Sequence, residues 1–380
     1  MTRLPTHLAA VRAAAVATLL AGSAAFAQAP DLDTLSAAEL LPLAQAEKTV
    51  TVYSFTSRIA RVETAFEAAY PGVDMVPNDM SSTEQITRLK TEAGAGIANA
   101  DVVYISDTPV VLTELLEAGI VQPYVPPRMA DRLDARYKAP LLAQRLSTKV
   151  LMYNEEAHPN GSPVTNLWQL TMPDWKGRVV MVDPLQRGDY LDLMTEFVLR
   201  SDEMAKAYEA QFGRPIALDD GVADAGRQFI ADLFGNDLIL VGSTDDVNAA
   251  VGRKGQAGPP VGFTSYSDRR DNEDENWALQ VANDVAPSNG ILFPAVLAIV
   301  KDSAHPAAAR LAVDFLMGDD SDTGGPGYAP FYVAGDYPTR RDIADQPDAV
   351  PLGDFIAWRI DPQATAGIRQ DVADLVLELQ

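Results

Sequence analysis

Three short segments of the chain place hydroxyl side chains between an apolar strand pattern and a helical pattern. They are residues 54–57, 81–83 and 106–108. The start of a helix offers free backbone N–H groups and a positive dipole end, which suit an anionic or polar ligand group. Serine and threonine at such positions also cap helices. Because these turns gather at the ligand-binding edge of an open α/β sheet, helix capping and a shared polar site both remain open interpretations.

The stretch 48–70 illustrates how such a turn is positioned. Val50 and Val52 alternate with polar residues, which predicts a strand, and Ile59 and Phe66 then lie at helical spacing. The polar turn between the two patterns is therefore expected to lead directly into the first turn of a helix.

The same alternation of strand and helix continues along the chain. Further strands are predicted at residues 73–76, 100–105, 149–153, 178–182, 238–241, 261–264 and 291–300. Several of these runs are continuously apolar, as in buried parallel strands. Ser82, with Gln85 three residues later, fits a capping box for the helix that follows the second strand. The pattern predicts an α/β fold.

Composition and charge narrow the functional classes. The chain has 380 residues, enough for two domains, and is 47% hydrophobic and 22% charged, as in an ordinary globular protein. Its formal net charge of −23 disfavours nucleic acid and anionic membrane surfaces as partners. A small anionic ligand stays compatible, because charges beyond ~8 Å are screened at physiological salt.

The amino-terminal residues predict export. Arg3 and Arg12 precede the apolar run 13–20, and residues 25–27 (Ala-Phe-Ala) form a small-x-small cleavage site. This pattern is typical of a secretory signal peptide over residues 1–27. With no cysteine in the chain, we expect neither disulfides nor a lipid-anchored cysteine, and a periplasmic location.

Enzymatic chemistry has no positive support in the sequence. Outside the predicted signal peptide there are two histidines, His158 and His305, and neither lies in a metal-ligand or nucleophile motif. The charged run 268–276 lacks the glycine and the spacing of a calcium loop. We therefore expect no enzyme activity and no cofactor.

Several stretches together resemble the solute-binding proteins of bacterial ABC importers, in the extracellular solute-binding protein family 1 group that includes ferric-ion-binding and phosphosugar-binding members. The matching stretches are 51–54 (TVYS), 65–72 (AFEAAYPG), 100–102 (ADV), 116–121 (LEAGIV), 175–184 (WKGRVVMVDP), 294–301 (PAVLAIVK), 305–316 and 335–342 (GDYPTRRD). Their order and spacing cover nearly the whole chain after the signal peptide.

The resemblance implies a two-lobed periplasmic-binding-protein fold of type II, with a ligand cleft between the lobes. We expect lobe 1 to comprise residues 48–150 with 286–318, and lobe 2 residues 151–285 with 319–380. The lobes are discontinuous because the chain crosses between them more than once.

The resemblance also indicates which loops hold the ligand. The predicted ligand-binding residues are Ser54, Thr56, Ser57, Arg58, Ser82, Thr83, Ser106, Thr108, Arg187, Asp189 and Tyr266. Ferric-ion-binding members use two adjacent tyrosines where this chain has Tyr266 alone; if iron were the ligand, Tyr266 and Glu84 would be the candidate metal ligands. Fe³⁺ favours several anionic oxygens, and one tyrosine supplies few.

Three functions follow as hypotheses. The leading one is a periplasmic protein that captures a small anionic organic solute, with a phosphate as the expected anionic group, for an ABC permease in the inner membrane. The alternative within the class is ferric-iron binding, and the alternative from another class is an exported α/β hydrolase or transferase. We expect a monomer that binds no nucleic acid.

Overall fold

The computed structural model describes residues 30–380, so the predicted signal peptide at 1–27 lies outside the described residues. Within that range, no helix is both long enough and apolar enough to cross a membrane.

The described residues form twelve strands and a set of helices that alternate with them. The strands are β1 (Thr49–Ser54), β2 (Asp74–Asp79), β3 (Val102–Ile105), β4 (Val121–Gln122), β5 (Leu142–Asn154), β6 (Val179–Val182), β7 (Ile239–Val241), β8 (Val261–Thr264), β9 (Leu279–Val281), β10 (Gly290–Val300), β11 (Tyr337–Pro338) and β12 (Trp358–Arg359). The α-helices are α1 (Ala37–Glu47), α2 (Ile59–Ala69), α3 (Ser82–Gly94), α4 (Thr108–Val110, continued by a π-helical segment Val111–Leu116), α5 (Gly188–Leu199), α6 (Ser201–Phe212), α7 (Ala225–Gly235), α8 (Thr244–Gly252), α9 (Pro306–Leu316), α10 (Gly325–Tyr328) and α11 (Pro362–Leu379).

The predicted start of α3 is displaced by one residue. The helix is capped by Ser81, whose side chain accepts a hydrogen bond from the Glu84 N–H at 3.2 Å. The capping box predicted on Ser82 and Gln85 is therefore wrong. Ser82 is buried inside the first turn, which leaves its hydroxyl available for a contact with another loop.

The sheet consists of two parallel halves joined by antiparallel strands. Its order is β2-β1-β3-β10-β5-β8-β6-β7. β1 is parallel to both of its neighbours, and β6 is parallel to β8 and β7. β10 and β5 run antiparallel to each other over the length of the junction, with a register shift between Ala295 and Val296. Two α/β units thus share one pair of long crossing strands.

The crossing strands carry the chain from one hydrophobic core to another. Residues 295–300 of β10 pack with α1, α2, α3 and α9, which we call the first core. Residues 291–293 of the same strand pack with α5, α7 and α8, which we call the second core. The change occurs at Pro294, so β5 and β10 are the natural place for a hinge between two lobes.

The carboxyl-terminal region contacts both cores. Phe331 is fully buried in the first core, and α10 packs against α2 and α9. In contrast, Val372 and Val376 of α11 lie in the second core, where α11 packs along α5. Phe331, α10 and α11 all belong to the segment 319–380, which the sequence assigns to lobe 2. The lobe boundaries themselves stay a prediction.

Candidate functional site

The first predicted loop, between β1 and α2, is shaped by its own hydroxyls. Ser54 Oγ donates to the Thr56 carbonyl oxygen at 3.0 Å and accepts from the Thr56 N–H at 3.2 Å. Thr56 Oγ1 in turn accepts from Arg58 Nε at 3.3 Å. Ser57 is exposed, and no side chain caps α2. The hydroxyls therefore position Arg58 instead of capping the helix.

The second and third loops are bonded to each other. Ser82 Oγ lies 2.9 Å from Ser106 Oγ, and the Ser106 N–H donates to Ser82 Oγ at 3.2 Å. Thr108 Oγ1 donates to the Pro294 carbonyl oxygen at 3.1 Å, at the junction of the two cores. Thr83 is exposed on the first turn of α3. The structure thus brings Ser82 and Ser106 together as predicted neighbours, but their hydroxyls are already paired.

Two buried arginines share one aspartate beside the first loop. Arg58 Nη1 donates to Asp336 Oδ2 at 2.7 Å. Arg145 Nε lies 3.1 Å from the same oxygen, as an ion pair without a hydrogen bond. The side chains of Arg145 and Asp336 are fully enclosed, and 9% of the Arg58 side chain is exposed. The cluster therefore carries two positive charges against one negative charge.

Aromatic rings hold the Arg145 guanidinium in place. Its Cζ lies 4.7 Å from the centre of the Phe331 ring, 5.2 Å from that of Tyr104 and 5.4 Å from that of Phe55. Cation–π contacts of this kind stabilise a desolvated guanidinium without neutralising its charge. The rings belong to β3, the first loop and the carboxyl-terminal region, so the position of Arg145 depends on all three.

The cluster has unused hydrogen-bonding capacity. Arg145 Nη2, Asp336 Oδ1 and the Tyr328 hydroxyl are buried without a hydrogen-bond partner in the part of the chain that the structure describes. Burial lowers the pKa of Arg145 to about 10, so the guanidinium remains charged at neutral pH. Burial acts to raise the pKa of Asp336, but the charges of Arg145 and Arg58 outweigh it and hold that pKa below its ordinary value.

A second ion cluster lies at the start of α5. Lys149 Nζ is 3.1 Å from Asp189 Oδ2 and donates to Ser265 Oγ at 2.7 Å. Arg187 Nη2 donates to the same aspartate oxygen at 3.1 Å. Burial acts to raise the pKa of Asp189, but Arg187 and Lys149 together hold it below its ordinary value. Two predicted site residues, Arg187 and Asp189, are therefore each other's partners.

The structure places Tyr266 against the carboxyl-terminal region. Its hydroxyl accepts from the Val350 N–H at 3.3 Å, its N–H donates to Thr148 Oγ1, and its ring stacks on Phe355. Glu84 is exposed on α3. Across residues 30–380, no group of three or more histidine, cysteine, aspartate or glutamate side chains is placed to hold a metal ion.

Electrostatic coupling indicates that loops from the two cores face one another. Burial raises the pKa of Asp79, at the end of β2, and the charge of Arg187 opposes this rise. Burial likewise raises the pKa of Asp271, which the charges of Arg270 and Arg58 oppose. Arginines from each core thus act on carboxylates of the other, as expected for two sides of a cleft.

Sequence reasoning missed Arg145, Lys149 and Asp336. The sequence contained a pattern that could have identified Arg145 and Lys149. Polar residues stand at every second position, at Arg145, Ser147 and Lys149, which places their side chains on one face of a strand. The prediction began that strand at residue 149, whereas β5 begins at Leu142. Nothing local distinguishes Asp336 from the other acidic residues of the chain.

Comparison with solved structures supports this architecture. The iron-bound HitA of Pseudomonas aeruginosa superposes with a TM-score of 0.66 at 18% identity, covering 87% of this chain and 99% of that one. AfuA of Actinobacillus pleuropneumoniae, with fructose-6-phosphate bound, has a TM-score of 0.64 at 18% identity, with 87% and 97% coverage. The apo ferric ion-binding protein A of Pasteurella haemolytica gives 0.65 at 17% identity, with 87% and 98% coverage. These similarities confirm the predicted two-lobed α/β fold.

The family assignment rests on the sequence itself. Residues 48–323 match the model of the bacterial extracellular solute-binding protein family, while comparison with curated proteins finds no match. Members of the family are periplasmic, bind small molecules without transforming them, and deliver them to a membrane ABC permease. The chain therefore belongs to the bacterial extracellular solute-binding proteins and is the substrate-binding component of an ABC importer, not an enzyme.

Proposed function

We propose that the protein captures a small anionic organic solute in the periplasm, with a phosphate as the best-fitting anionic group, and delivers it as a monomer to its permease. The observation that carries this proposal is the cluster in which Arg58 and Arg145 share Asp336 alone as their carboxylate. An excess positive charge that is withdrawn from water is stabilised by an anion that hydrogen-bonds to it.

The surroundings of this cluster support the proposal. Among residues 30–380, the enclosed Arg145 Nη2 has no hydrogen-bond partner, so the positive charge of the cluster is incompletely satisfied by the protein itself. Arg187, with 28% of its side chain exposed, immediately precedes the first turn of α5, where free N–H groups add further donors. Donors of both kinds suit phosphate and carboxylate oxygens, which regain on binding the hydrogen bonds that they lose with water.

Ferric iron is the less favoured ligand. A hard trivalent cation needs several anionic oxygens that converge on one point, and the described residues offer no such group of carboxylates or histidines. The Tyr266 hydroxyl contacts the Val350 N–H. The similarity to iron-bound HitA, at 18% identity, concerns the fold.

Calorimetric titration tests the proposal. The mature protein is titrated with fructose 6-phosphate, fructose, inorganic phosphate and ferric citrate, after native mass spectrometry has identified any ligand retained on purification. We expect heat from a phosphorylated or carboxylated solute and none from the neutral sugar. Binding of Fe³⁺ with a tyrosinate charge-transfer colour, and of no organic anion, would refute it.

Two substitutions locate the site. Thr56→Ala removes the acceptor that holds Arg58 Nε, and Arg187→Ala removes a cation at the start of α5. A hydrogen bond to a charged group contributes roughly 1.5–3 kcal/mol, so each variant should bind the anionic solute about ten- to a hundredfold more weakly. The control is Arg178→Ala, because Arg178 donates to the carbonyl oxygens of Asp174, Gly258 and Pro259 and pairs with no carboxylate among the described residues. Unchanged affinity in both test variants would place the solute elsewhere.

A further inference from the structure

A second buried ion network joins the two cores beside the candidate site. Arg369, on α11, donates from Nη2 to Asp107 Oδ2 at 3.0 Å and from Nε to Asp192 Oδ1 at 2.9 Å. Asp107 lies between β3 and α4. Ile105, at the end of β3, and Val111, directly after α4, belong to the first core. Asp192 lies on α5 in the second core. We call Asp107, Arg369 and Asp192 the interlobe bridge.

The bridge depends on a single cation. The side chains of Asp107 and Asp192 are 3% and 1% exposed, and that of Arg369 is 14% exposed. The second oxygen of each carboxyl group, Asp107 Oδ1 and Asp192 Oδ2, has no hydrogen-bond partner within residues 30–380. Without the guanidinium, two buried carboxyl groups from different cores would face each other with no cation between them, and ionising both would be strongly unfavourable.

Close backbone contact accompanies the ion pairs. Arg369 Nη2 also donates to the Gly188 carbonyl oxygen at 3.1 Å, at the first residue of α5. A Cβ atom added to Gly188 would lie 2.1 Å from Asp107 Oδ2 and 2.6 Å from Arg369 Nη2. The side chains of Asp107 and Arg369 therefore touch the start of α5, where a residue larger than glycine would displace them.

We propose that Arg369 is the positioning residue that holds the two lobes together for solute capture. It contacts both lobes at once, and its removal takes away the only hydrogen-bond donor that the two carboxyl groups share among the described residues. Because a solute enclosed between lobes is bound only by the closed arrangement, apparent affinity falls in proportion to the population of that arrangement. The inference concerns the lobe arrangement and is independent of the solute's chemical class.

The test measures the distance between the lobes without any solute. Since the chain contains no cysteine, Thr87→Cys on α3 and Glu209→Cys on α6 allow two spin labels to be attached at exposed positions. We expect electron–electron double resonance to show a population with a short distance between the two labels in this doubly labelled parent protein. Arg369→Gln should shift that population to longer distances.

Matched variants separate positioning from general stability. Arg200→Gln is the control, because Arg200 also pairs with two acids, Glu196 and Glu203, but both lie on helices of the second core. It should leave the distances unchanged. Gly188→Ala keeps all three side chains of the bridge and should lengthen the distances by displacing those of Asp107 and Arg369, whereas Arg369→Lys should retain part of the short-distance population.

The distance distribution of Arg369→Gln can also overturn the proposal. If Arg369→Gln lowers the melting temperature but has the same distance distribution as the parent, then Arg369 only anchors α11. The proposal is likewise overturned if Arg200→Gln lengthens the distances as much as Arg369→Gln does. Neither result depends on which solute the protein binds, so the proposed anion specificity is tested separately.

Discussion

Replacing Asp336 by asparagine is the most informative perturbation of the candidate site. The carboxylate is fully enclosed and is the counter-ion of both Arg58 and Arg145. The substitution would keep the shape of the side chain but leave two neighbouring buried guanidinium groups without a negative charge. Removing one partner of a buried ion pair costs about 3–5 kcal/mol, so we expect Asp336→Asn to lower the free energy of unfolding by that amount.

A half-exposed aspartate with the same connectivity provides the control. Asp342 also pairs with two arginines, Arg340 at 2.7 Å and Arg132 at 3.3 Å, but 43% of its side chain is exposed. Ion pairs that water screens contribute about 0–1 kcal/mol. Arg340, whose own side chain is 1% exposed, would keep its hydrogen bonds to the carbonyl oxygens of Met317 and Asp319 in the variant. Asp342→Asn should therefore reduce the free energy of unfolding by no more than about 1 kcal/mol, although it too removes one charge next to two cations.

Urea unfolding, followed by tryptophan fluorescence, measures both variants. Since the unpaired arginines of Asp336→Asn should attract anions, added phosphate should restore more stability to this variant than to Asp342→Asn. If the two substitutions have equal and small effects, or if phosphate stabilises both equally, the cluster is not a desolvated cationic site and the reasoning behind the anion proposal fails.

Two further predictions concern stability. Burial, with the charges of Asp107 and Asp189, raises the pKa of Asp192 well above its ordinary value despite Arg369. Between about pH 3.9, where the unfolded chain releases this proton, and the higher pKa of the folded state, the native protein keeps the proton, so the free energy of unfolding falls as the pH rises. Asp192→Asn should flatten this slope when urea unfolding is measured at a series of pH values. An unchanged slope would contradict the assignment. A Cβ atom on Gly290, where φ is 142°, would lie 2.1 Å from the Lys149 carbonyl oxygen, so Gly290→Ala should lower the free energy of unfolding by about 1–3 kcal/mol. The control is Gly235→Ala, because Gly235 lies in a helix with open space around it. In the same assay this variant should leave the free energy of unfolding unchanged or raise it by up to about 1 kcal/mol.

Local patterns in the sequence determined the individual elements. The alternation around Val50 and Val52 predicted β1, and the spacing of Ile59 and Phe66 predicted α2, because side-chain period follows directly from backbone geometry. The alternation of strands and helices likewise predicted the α/β class. Even here, only the structure shows that Ser81 caps α3 while the Ser82 hydroxyl contacts Ser106.

The candidate site could be predicted only in outline. The hydroxyl-rich loops were visible, and the structure brings Ser82 next to Ser106 and Arg187 next to Asp189. The sequence did not indicate that these hydroxyls bond to backbone groups, to Arg58 and, for Ser82 and Ser106, to each other. The orientation of each hydroxyl depends on the competing donors and acceptors around it, and these come from other parts of the chain.

Only the tertiary structure decided which charges meet. Arg58 and Asp336 are 278 residues apart, and Asp107 and Arg369 are 262 residues apart, yet each pair forms a buried ion pair. Their partnership is a consequence of two cores that pack on β5 and β10, and of a carboxyl-terminal region that contacts both cores. Periodicity and capping act over a few residues, whereas the burial that gives these charges their energetic weight exists only once distant segments have packed together.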